Sequence, residues 1–412
     1  MGSRKGNGVV AQSGGPTAVI NNSLCGVIQE WLNNNFTGML LGALHGIRGV
    51  LENDFIDLSR QRRDIIEGLR VTPGSALGSC RYKLREEDYR KLLRIFKEKD
   101  IRYFFYIGGN DSMDTANRVN QLALEENYEM TVVGIPKTID NDLPCTDHCP
   151  GYGSAAKFLA ATVLETGIDL KGVLNNNRIK LMEVMGRNAG WLAAATALAR
   201  RAEEDAPHLI YLPEVPFDRE QFVRDVQKVY QKLGYVYIVV SEGIVDESGR
   251  YIVSASGRDS FGHCELGGLA GYLKELIEGR VESKVRCNVL GTAQRAAMHF
   301  ASRADADEAY MAGVEAVRLA IRGRSGLMVT FIRGDQGEYL CLPSSVELGS
   351  VANVEKKVPR EWINVEHNFV TEDFINYAKP LIQGEITIPT QDGLPYYQEL
   401  ERFPGALSAA SN

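Results

Sequence analysis

The sequence predicts an α/β protein built from two doubly wound, mostly parallel sheets with a C-terminal extension. First, short and almost continuously apolar runs recur along the chain, and each leads through a turn into a helical pattern. Such runs are typical of parallel strands that helices cover on both faces. Second, the alternation continues from about residue 9 to about residue 332, which is more than one sheet usually holds. Third, glycine accounts for 41 of 412 residues, about 10% against an average near 7%, while proline, at 14, is not raised. We therefore expect two sheets around a cleft, with tight turns at the strand ends.

The apolar runs are the expected strands. In chain order they are residues 9–13, 103–107, 131–135, 178–185, 208–212, 235–240, 285–290 and 326–332. Helical patterns follow four of these runs. The first ends near Trp31, the second begins at Ser112, the third is alanine-rich and reaches about Arg201, and the fourth is charged and follows Leu212. The tail from about Asn364 is expected to be an added segment rather than a domain. Because ligands of doubly wound sheets bind beyond the carboxyl ends of the strands, the residues after these runs are the candidates for function.

Composition and charge exclude several classes of protein. A net charge of −7 argues against a whole-chain nucleic-acid binder, although a few local basic residues can still hold an anionic substrate. No segment has the roughly 18 consecutive apolar residues of a membrane span, and the first residues lack the pattern of a signal peptide. The seven cysteines are odd in number and scattered, so a reducing cytoplasm is expected. Cys145 and Cys149 enclose Asp147 and His148, but an ordinary loop is favoured over a metal site because no second ligand pair follows.

Two glycine pairs follow the first two long strands. Gly14 and Gly15 would let the backbone approach a phosphate and direct N–H groups at it. Gly108 and Gly109 repeat the arrangement and lead into Asn110-Asp111-Ser112, whose polar groups can face a phosphate or a magnesium ion. The alternatives are a simple strand–helix turn and, for Ser112, a helix cap. Neither loop has the pattern of a dinucleotide-binding fingerprint or a P-loop.

Residues 136–142 form the most specific segment. Phosphoryl transfer to an alcohol needs a base for the hydroxyl proton and cations that offset the charge on the transferred group. Asp140 or Asp142 can serve as that base, and Lys137 can serve as the cation. The alternative is a surface turn rich in aspartate and asparagine, which is less expected directly after a buried strand.

Further charged residues follow the later strands. Gly186 leaves room for a ligand, and Arg187 can form a forked contact with phosphate. Glu242 could accept hydrogen bonds from sugar hydroxyls, or it could merely be a carboxylate at the start of a helix. Further candidate anion ligands are Arg81, Arg178, Arg286 and Arg295. A single surface arginine is usually only solvated, so these residues point to an anion pocket only if the fold brings them together.

Taken together, these motifs resemble the phosphofructokinase family. The order and spacing agree from about residue 7 to residue 335. The segments that carry the resemblance are Gly14-Gly15, Gly108-Gly109 with Ser112, Thr138-Ile139-Asp140-Asn141-Asp142, Met185-Gly186-Arg187, Glu242-Gly243, and Leu290-Gly291 with Gln294-Arg295. The family phosphorylates fructose 6-phosphate at its 1-hydroxyl, so the resemblance implies that this chain is an enzyme that catalyses this phosphorylation.

The resemblance also implies a role for each matching residue. Asp140 would be the base, with Lys137, Asp111 and Arg187 assisting catalysis. The donor phosphates would meet Gly14, Gly15, Arg81, Gly109, Ser112 and Lys137. The acceptor sugar phosphate would meet Thr138, Ile139, Asp140, Asp142, Arg178, Met185, Gly186, Arg187, Glu242, Arg286, Thr292 and Arg295. Within that set, Arg286 and Arg295 would clamp the 6-phosphate. Magnesium would be held near Asn110 and Asp111.

Two positions point to pyrophosphate as the donor. ATP-dependent members usually carry glycine where this chain has Asp111 and Lys137. An aspartate there fills the space that a nucleotide α-phosphate would need and repels it, while the lysine can stabilise a leaving phosphate. The chain departs from the family at Asn110, which replaces a metal-contacting aspartate, and at Thr292 and the alanines of 296–297. Cys25 and Gln29 stand where allosteric bacterial ATP enzymes tend to carry arginines, so nucleotide-effector control is not expected.

The resemblance further implies a homodimer or homotetramer with shared active sites, to which Arg178 and Arg286 would contribute from the partner. Residues 1–150 would form the larger donor-binding domain, to which the chain returns near 300–412, and residues 151–300 would bind the sugar phosphate. The sequence leaves three alternatives: an ATP-dependent member of the same fold, a nicotinamide-nucleotide or lipid kinase, and a non-catalytic regulatory subunit. The Thr138–Asp142 and Met185–Arg187 segments speak against the second, and Asp140, Lys137 and Arg187 against the third.

Overall fold

Two separate parallel sheets organise the chain. A computed structural model describes residues 5–173, 178–253, 266–281, 284–334 and 338–403. The strands are β1 Asn7–Gln12, β2 Leu40–Ala43, β3 Phe55–Asp57, β4 Ile101–Gly108, β5 Thr131–Pro136, β6 Ile179–Val184, β7 Leu209–Tyr211, β8 Val236–Ser241, β9 Val285–Val289, β10 Leu327–Arg333, β11 Cys341–Glu347, β12 Thr390–Gln391 and β13 Leu394–Pro395.

Helices connect these strands. They are α1 Ile20–Leu32, α2 Ile47–Glu52, α3 Arg63–Leu69, α4 Glu86–Glu98, α5 Asn110–Glu125, α6 Tyr152–Gly172, α7 Trp191–Ala195, α8 Arg219–Leu233, α9 Leu269–Glu278, α10 Ala293–Ala296, α11 Arg303–Ile321 and α12 Glu372–Ala378. Local chemistry sets several of their ends. Asp218 caps α8 by accepting hydrogen bonds from two backbone N–H groups, and Gly234 ends the same helix in the left-handed conformation.

The larger sheet has seven strands in the order β11-β10-β5-β4-β1-β2-β3. Its five central strands are parallel, and the two edge strands, β3 and β11, run antiparallel to their neighbours. The smaller sheet has four parallel strands in the order β7-β8-β6-β9. A short ladder joins β12 to β13. The predicted α/β class with two mostly parallel sheets is therefore confirmed.

The expected apolar runs all form strands, but the pattern did not predict three further strands of the large sheet. These are β2 and β3, which are only four and three residues long, and β11. An edge strand such as β11 is half exposed and lacks the continuous apolar run that identifies a buried parallel strand. The alanine-rich helix was also predicted too long, since α7 ends at Ala195 and a 3-10 turn follows to Ala199.

The tail after Asn364 belongs to the hydrophobic core. Phe374 of α12 and Leu381 are fully or almost fully buried and pack in one cluster with Trp191 and Tyr152. Trp191, Phe374 and Tyr377 also form close aromatic pairs. The C-terminal extension is thus an integral layer over the smaller sheet rather than a segment merely appended to a finished fold.

Among the described ranges, no helix combines the length and apolar character needed to cross a bilayer. The cysteines in these ranges are free thiols, and Cys264 lies outside the described residues.

Candidate active site

The carboxyl ends of strands from both sheets face one cleft of about 760 Å³. From the large sheet, the loops after β1, β4 and β5 line it, and from the small sheet the loops after β6 and β8. The lining residues are Ser13, Gly14, Gly15, Pro16, Arg81, Gly109, Asn110, Asp111, Ser112, Lys137, Thr138, Ile139, Asp140, Asp142, Met185, Arg187, Asn188, Ala189, Glu242, Leu266, Arg295, Asn353 and Glu355. Most of the predicted site residues therefore meet in one place.

The two glycine loops lie side by side at one end of the cleft. Ser13 donates its backbone N–H to Ile107 O at 2.9 Å, which joins the first loop to the end of β4. Gly14 has φ +73°, a conformation that L side chains rarely adopt, and Ser79 Oγ donates to its carbonyl oxygen at 2.6 Å. The second loop ends in α5, whose first turn holds Asp111 and the buried Ser112. A helix start and exposed backbone N–H groups are suited to bind phosphate.

Lys137 joins the two loops. Its backbone N–H donates to Gly108 O at 2.9 Å, and its Nζ donates to Gly15 O at 2.8 Å. Burial lowers the pKa of its ammonium group to about 8, which Asp140 and Asp142 oppose and which Arg295 and Arg81 reinforce. A nearly buried ammonium beside both loops can stabilise a phosphate that leaves there.

Asp140 and Asp142 lie next to Lys137 on the loop after β5. Burial raises the pKa of Asp140 to about 7, and the charges of Asp142 and Glu242 add to the shift. Burial likewise raises the pKa of Asp142. Thr138 Oγ1 accepts a hydrogen bond from Asp140 N at 3.0 Å, which holds the loop. A carboxylate whose pKa lies near neutral pH has the property that a general base requires.

The loop after β6 brings residues that were predicted to bind the sugar to the same cleft. Gly186 has φ +136°; its N–H faces Glu242 Oε1 at 3.4 Å, and its carbonyl oxygen accepts from Ser241 Oγ at 2.6 Å. Met185 N donates to Gln294 Oε1 at 3.0 Å. The guanidinium of Arg187 is close enough to lower the pKa values of both Asp140 and Glu242. Arg187 therefore lies near both carboxylates.

Arg295 reaches further towards the glycine loops than the resemblance implied. A Cβ built on Gly15 would lie 2.7 Å from Arg295 Nη1, so Gly15 allows this close approach. Burial lowers the pKa of Arg295, and Arg81 adds to this effect while Asp140 opposes it. Arg295 thus joins Arg81 and Lys137 in a cationic group at the donor end. Its role as a clamp on the 6-phosphate stays a prediction.

Four predicted residues are not among those that line the cleft, namely Arg178, Gly186, Arg286 and Thr292. Thr292 is exposed at the start of α10. Arg178 precedes β6, and Arg286 is the second residue of the parallel edge strand β9, where it pairs with Lys180. Both arginines lie at the opposite end of strands whose carboxyl ends meet the cleft, and a strand of six residues spans about 20 Å. Neither arginine lines the cleft of its own chain, and their contribution to a partner's site stays a prediction.

Asn110, one of the two predicted metal ligands, is engaged elsewhere. Its Oδ1 accepts from Asn353 N at 2.6 Å, and its Nδ2 donates to Val354 O at 2.5 Å. Asp111 also lines the cleft, which makes it the better placed of the two to hold a metal.

The sequence did not predict Asn353 and Glu355, which line the cleft from the C-terminal extension. It also gave no role to Asn188, which follows Arg187 directly. Of these three residues, only Asn188 could have been found from the sequence, because it adjoins the Met185–Arg187 segment.

Asp147 and His148 form an ion network with Glu308 and Arg333. His148 lies between Asp147, 2.8 Å from Nδ1, and Glu308, 2.7 Å from Nε2, and Arg333 pairs with Asp147 at 2.8 Å. Asp147, His148 and Cys341 are close enough together to hold a metal. Glu308 and Asp147 outweigh the effect of burial and raise the pKa of His148 to about 9. A protonated imidazole can donate from both nitrogens, which accounts for its contacts with Asp147 and Glu308. The interpretation of residues 145–149 as an ordinary loop stays a prediction.

A second cavity, of about 680 Å³, lies beside α1 and α3. Gln29 lines it, whereas Cys25 is buried and donates its Sγ hydrogen to Ile66 O at 3.0 Å. Arg63 and Arg70 also line it, and they pair with Glu67 and Asp307 respectively. The expected lack of nucleotide-effector control stays a prediction.

Comparisons with known proteins agree with this geometry. The phosphofructokinase family model matches residues 7–320. The chain is similar to the pyrophosphate–fructose 6-phosphate 1-phosphotransferases of Methylococcus capsulatus, with 43% identity over 401 residues, and Halomonas elongata, with 42% over 403 residues; each match covers 96% of both chains. It is also similar to the crystal structure of a pyrophosphate-dependent phosphofructokinase from Marinobacter aquaeolei, with a TM-score of 0.88, 40% identity and 97% of both chains covered.

Proposed function

The chain belongs to the phosphofructokinase family, and we propose that within this family it uses pyrophosphate as its phosphoryl donor. It transfers a phosphoryl group from pyrophosphate to the 1-hydroxyl of fructose 6-phosphate and forms fructose 1,6-bisphosphate and phosphate. The reaction exchanges the P–O–P bond of pyrophosphate for a phosphate ester bond at the sugar, and the reverse reaction exchanges the same two bonds. One observation carries the proposal most directly: Asp140, Lys137 and Arg187, which come from loops of two different sheets, meet in one cleft.

Asp140 acts as the general base in this proposal. The 1-hydroxyl oxygen loses its proton to Asp140 as it attacks the transferred phosphorus in line with the leaving phosphate. The raised pKa of Asp140, about 7, suits this exchange in both directions. In the reverse reaction the protonated carboxyl returns the proton to the sugar oxygen. Arg187 holds the acceptor beside the base, and Met185, Gly186 and Glu242 bind the sugar.

The donor lies against the two glycine loops. Backbone N–H groups near Gly14, Gly15 and Gly109 approach its phosphates, and the Lys137 ammonium offsets the charge that develops on the leaving phosphate. Arg81 and Arg295 extend this cationic group. Asp111 lines the same end of the cleft. Its negative charge disfavours the additional phosphate of a nucleotide, which supports pyrophosphate rather than ATP.

A divalent cation fits the donor end of the cleft, and we propose Mg²⁺. The Oδ1 atom of Asp142 is buried without a hydrogen-bond partner among the described residues, so it has capacity for a ligand. Asp142 and Asp111 would hold the ion, because carboxylate oxygens are the donors that Mg²⁺ prefers. When bound, such an ion neutralises negative charge on the phosphates.

The remaining proposals concern organisation. Strands of residues 7–136 and 327–347 form the larger sheet, and strands of residues 179–289 form the smaller one. This supports a donor-binding part in 1–150, completed by the chain's return at 300–412, and a sugar-phosphate part in 151–300. We propose a homodimer or homotetramer in which Arg178 and Arg286 complete a partner's site. A cytoplasmic location suits the free thiols of the described ranges.

The decisive experiment assays the purified chain with both donors. Fructose 1,6-bisphosphate formation is measured with Mg²⁺ and either pyrophosphate or ATP at matched concentrations. We expect pyrophosphate to support turnover and ATP to support little. Greater activity with ATP would overturn the donor assignment, and no turnover in either direction would favour a non-catalytic subunit of the same fold.

A further inference from the structure

A segment of the C-terminal extension crosses the active-site cleft. We call residues 353–358 the strap. Its first residues hold the donor side through the two hydrogen bonds that join Asn110 to Asn353 and Val354. On the sugar side, Glu355 Oε1 accepts from Asn188 Nδ2 at 2.6 Å. The strap lies beyond residue 320, where the match to the family model ends. The strap therefore lies outside the part of the chain that the family model describes.

The strap also binds the loop that carries the proposed base. Lys356 N donates to Asp142 O at 2.7 Å. Its Nζ donates to Asp147 O at 2.8 Å and to Thr146 O at 3.1 Å, and approaches Asn141 Oδ1 at 3.4 Å. The ammonium group also lies 5.1 Å from the centre of the Trp191 ring. A single lysine thus ties both ends of the 141–147 loop together.

Asn141 is the residue on which these contacts converge. It stands between Asp140 and Asp142, it has φ +53°, and its side chain is fully buried. This left-handed conformation is unfavourable for a residue with a Cβ and persists only where its surroundings hold it. The turn at Asn141 places Asp140 and Asp142 on the cleft wall while Asn141 itself points into the protein.

Tyr377 of α12 supplies the other half of this support. Its hydroxyl accepts from Asn141 Nδ2 at 2.8 Å and donates to Asp147 O at 2.8 Å. Cys149 N donates to Asn141 Oδ1 at 3.0 Å. The Asn141 amide is therefore bound on both of its polar atoms, and two of its partners, Lys356 and Tyr377, come from the extension.

The other end of the strap is anchored on the sugar side. Trp191 Nε1 donates to Lys356 O at 3.0 Å. Glu214 Oε1 accepts from Val358 N at 3.0 Å and from Gly190 N at 2.9 Å, so one carboxylate oxygen joins the strap to the loop that carries Arg187. The position of the base loop is thereby coupled to the position of the sugar loop.

We propose that Lys356 and Tyr377 are positioning residues, which hold Asn141 in its left-handed conformation and so direct the Asp140 carboxylate at the acceptor hydroxyl. This inference rests on the proposed function, since it assigns these residues to the base of that reaction. Neither residue touches substrate. They act through Asn141, so their loss should affect the reaction step more than the binding of either substrate.

The test uses Tyr377→Phe and Lys356→Met in the full-length chain. Tyr377→Phe removes only the hydroxyl and keeps the ring in the aromatic cluster. We expect kcat to fall by about tenfold to a hundredfold, with KM for fructose 6-phosphate and for pyrophosphate within about twofold of the unmodified protein. Matched controls are Tyr396→Phe and Lys379→Met, exposed residues of the same extension that lie outside the strap and should leave both constants unchanged.

The outcomes separate this inference from the proposed function. If both variants keep their kcat, or if KM rises while kcat holds, the positioning role is wrong even though the enzyme is the one proposed. If Lys356→Met fails to fold, Tyr377→Phe decides alone. If the unmodified chain prefers ATP, the donor assignment fails, but the fall in kcat is still expected with ATP because the base loop is the same.

Discussion

Replacing Asp140 by asparagine should abolish most activity and at the same time stabilise the fold. The amide keeps the shape of the side chain but cannot accept the hydroxyl proton at the pH of the reaction. Positioned proton transfer contributes about a hundredfold to ten-thousandfold, so we expect kcat to fall by that factor. Binding of the sugar phosphate should survive, because Met185, Gly186 and Glu242 remain in place.

The magnitude of the stabilisation follows from the shifted pKa. The pKa of the Asp140 carboxyl rises from its ordinary 3.8 to about 7 because of burial and of the nearby Asp142 and Glu242 charges. Because the folded value lies above the unfolded one, the contribution to stability is fully present below pH 3.8 and is lost as pH rises through about 7. At about 1.36 kcal/mol per pH unit, ionisation costs the fold up to about 4 kcal/mol at pH 8, an amount shared with the coupled Asp142. Asparagine does not ionise and avoids this cost.

Urea unfolding at pH 5 and pH 8, together with steady-state kinetics, tests both halves. The variant should gain free energy of unfolding relative to the parent at pH 8 and lose most of that advantage at pH 5. Asp54→Asn, at an exposed aspartate, is the control and should change neither property. A nearly normal kcat would remove Asp140 from the role of base. A variant less stable than its parent at pH 8 would refute the electrostatic account of the site.

Three further predictions use other parts of the site. Replacing Asp111 and Lys137 together by glycine should lower kcat/KM for pyrophosphate by about tenfold or more, because the donor loses its cation; unchanged pyrophosphate kinetics would contradict the donor argument. Gly15→Ala places a Cβ 2.7 Å from Arg295 Nη1, and the flexible guanidinium can move aside. The KM for pyrophosphate should therefore rise several-fold while the midpoint of urea unfolding stays unchanged. A normal KM would show that Arg295 does not bind this substrate. His148 should stay protonated at pH 8 in an NMR titration, because Glu308 and Asp147 raise its pKa to about 9. Its stabilising contribution is fully present below pH 6.5 and lost as pH rises through about 9, and a midpoint below 7 would contradict this.

The fold class could be predicted because buried parallel strands carry an unmistakable local pattern. The runs at 103–107 and 235–240 are apolar on both faces, and both became central strands. The half-exposed edge strand β11 and the short strands β2 and β3 lack this pattern, since their pairing depends on neighbours that are distant in sequence. For the same reason the core position of the tail was not predicted: Phe374 is buried because it packs in one cluster with Trp191 and other residues that are distant in sequence.

The candidate site divides in the same way. Gly14, Lys137 and Asp140 lie within four residues of the ends of buried strands. Because the carboxyl ends of parallel strands share one edge of the sheet, their convergence could be inferred from the sequence. The positions of Arg178, Thr292 and Arg295 could not be inferred. They depend on the direction in which a loop leaves the sheet and on which end of a strand a residue occupies. Nor could the two contacts of Asn110 with the strap, which join residues separated by more than 240 positions.

From its amino acids alone, the chain could be predicted to be an α/β protein that resembles the phosphofructokinases, with Asp140 as the expected base and Lys137 beside the glycine loops. These features are local: each depends on a residue type at a fixed distance from a strand. Tertiary structure decides which distant segments complete the cleft, namely that Lys356 and Tyr377 hold the turn at Asn141 and that Arg178 and Arg286 lie outside their own site. The physical reason is that periodicity records whether a residue is buried, whereas only packing determines what buries it.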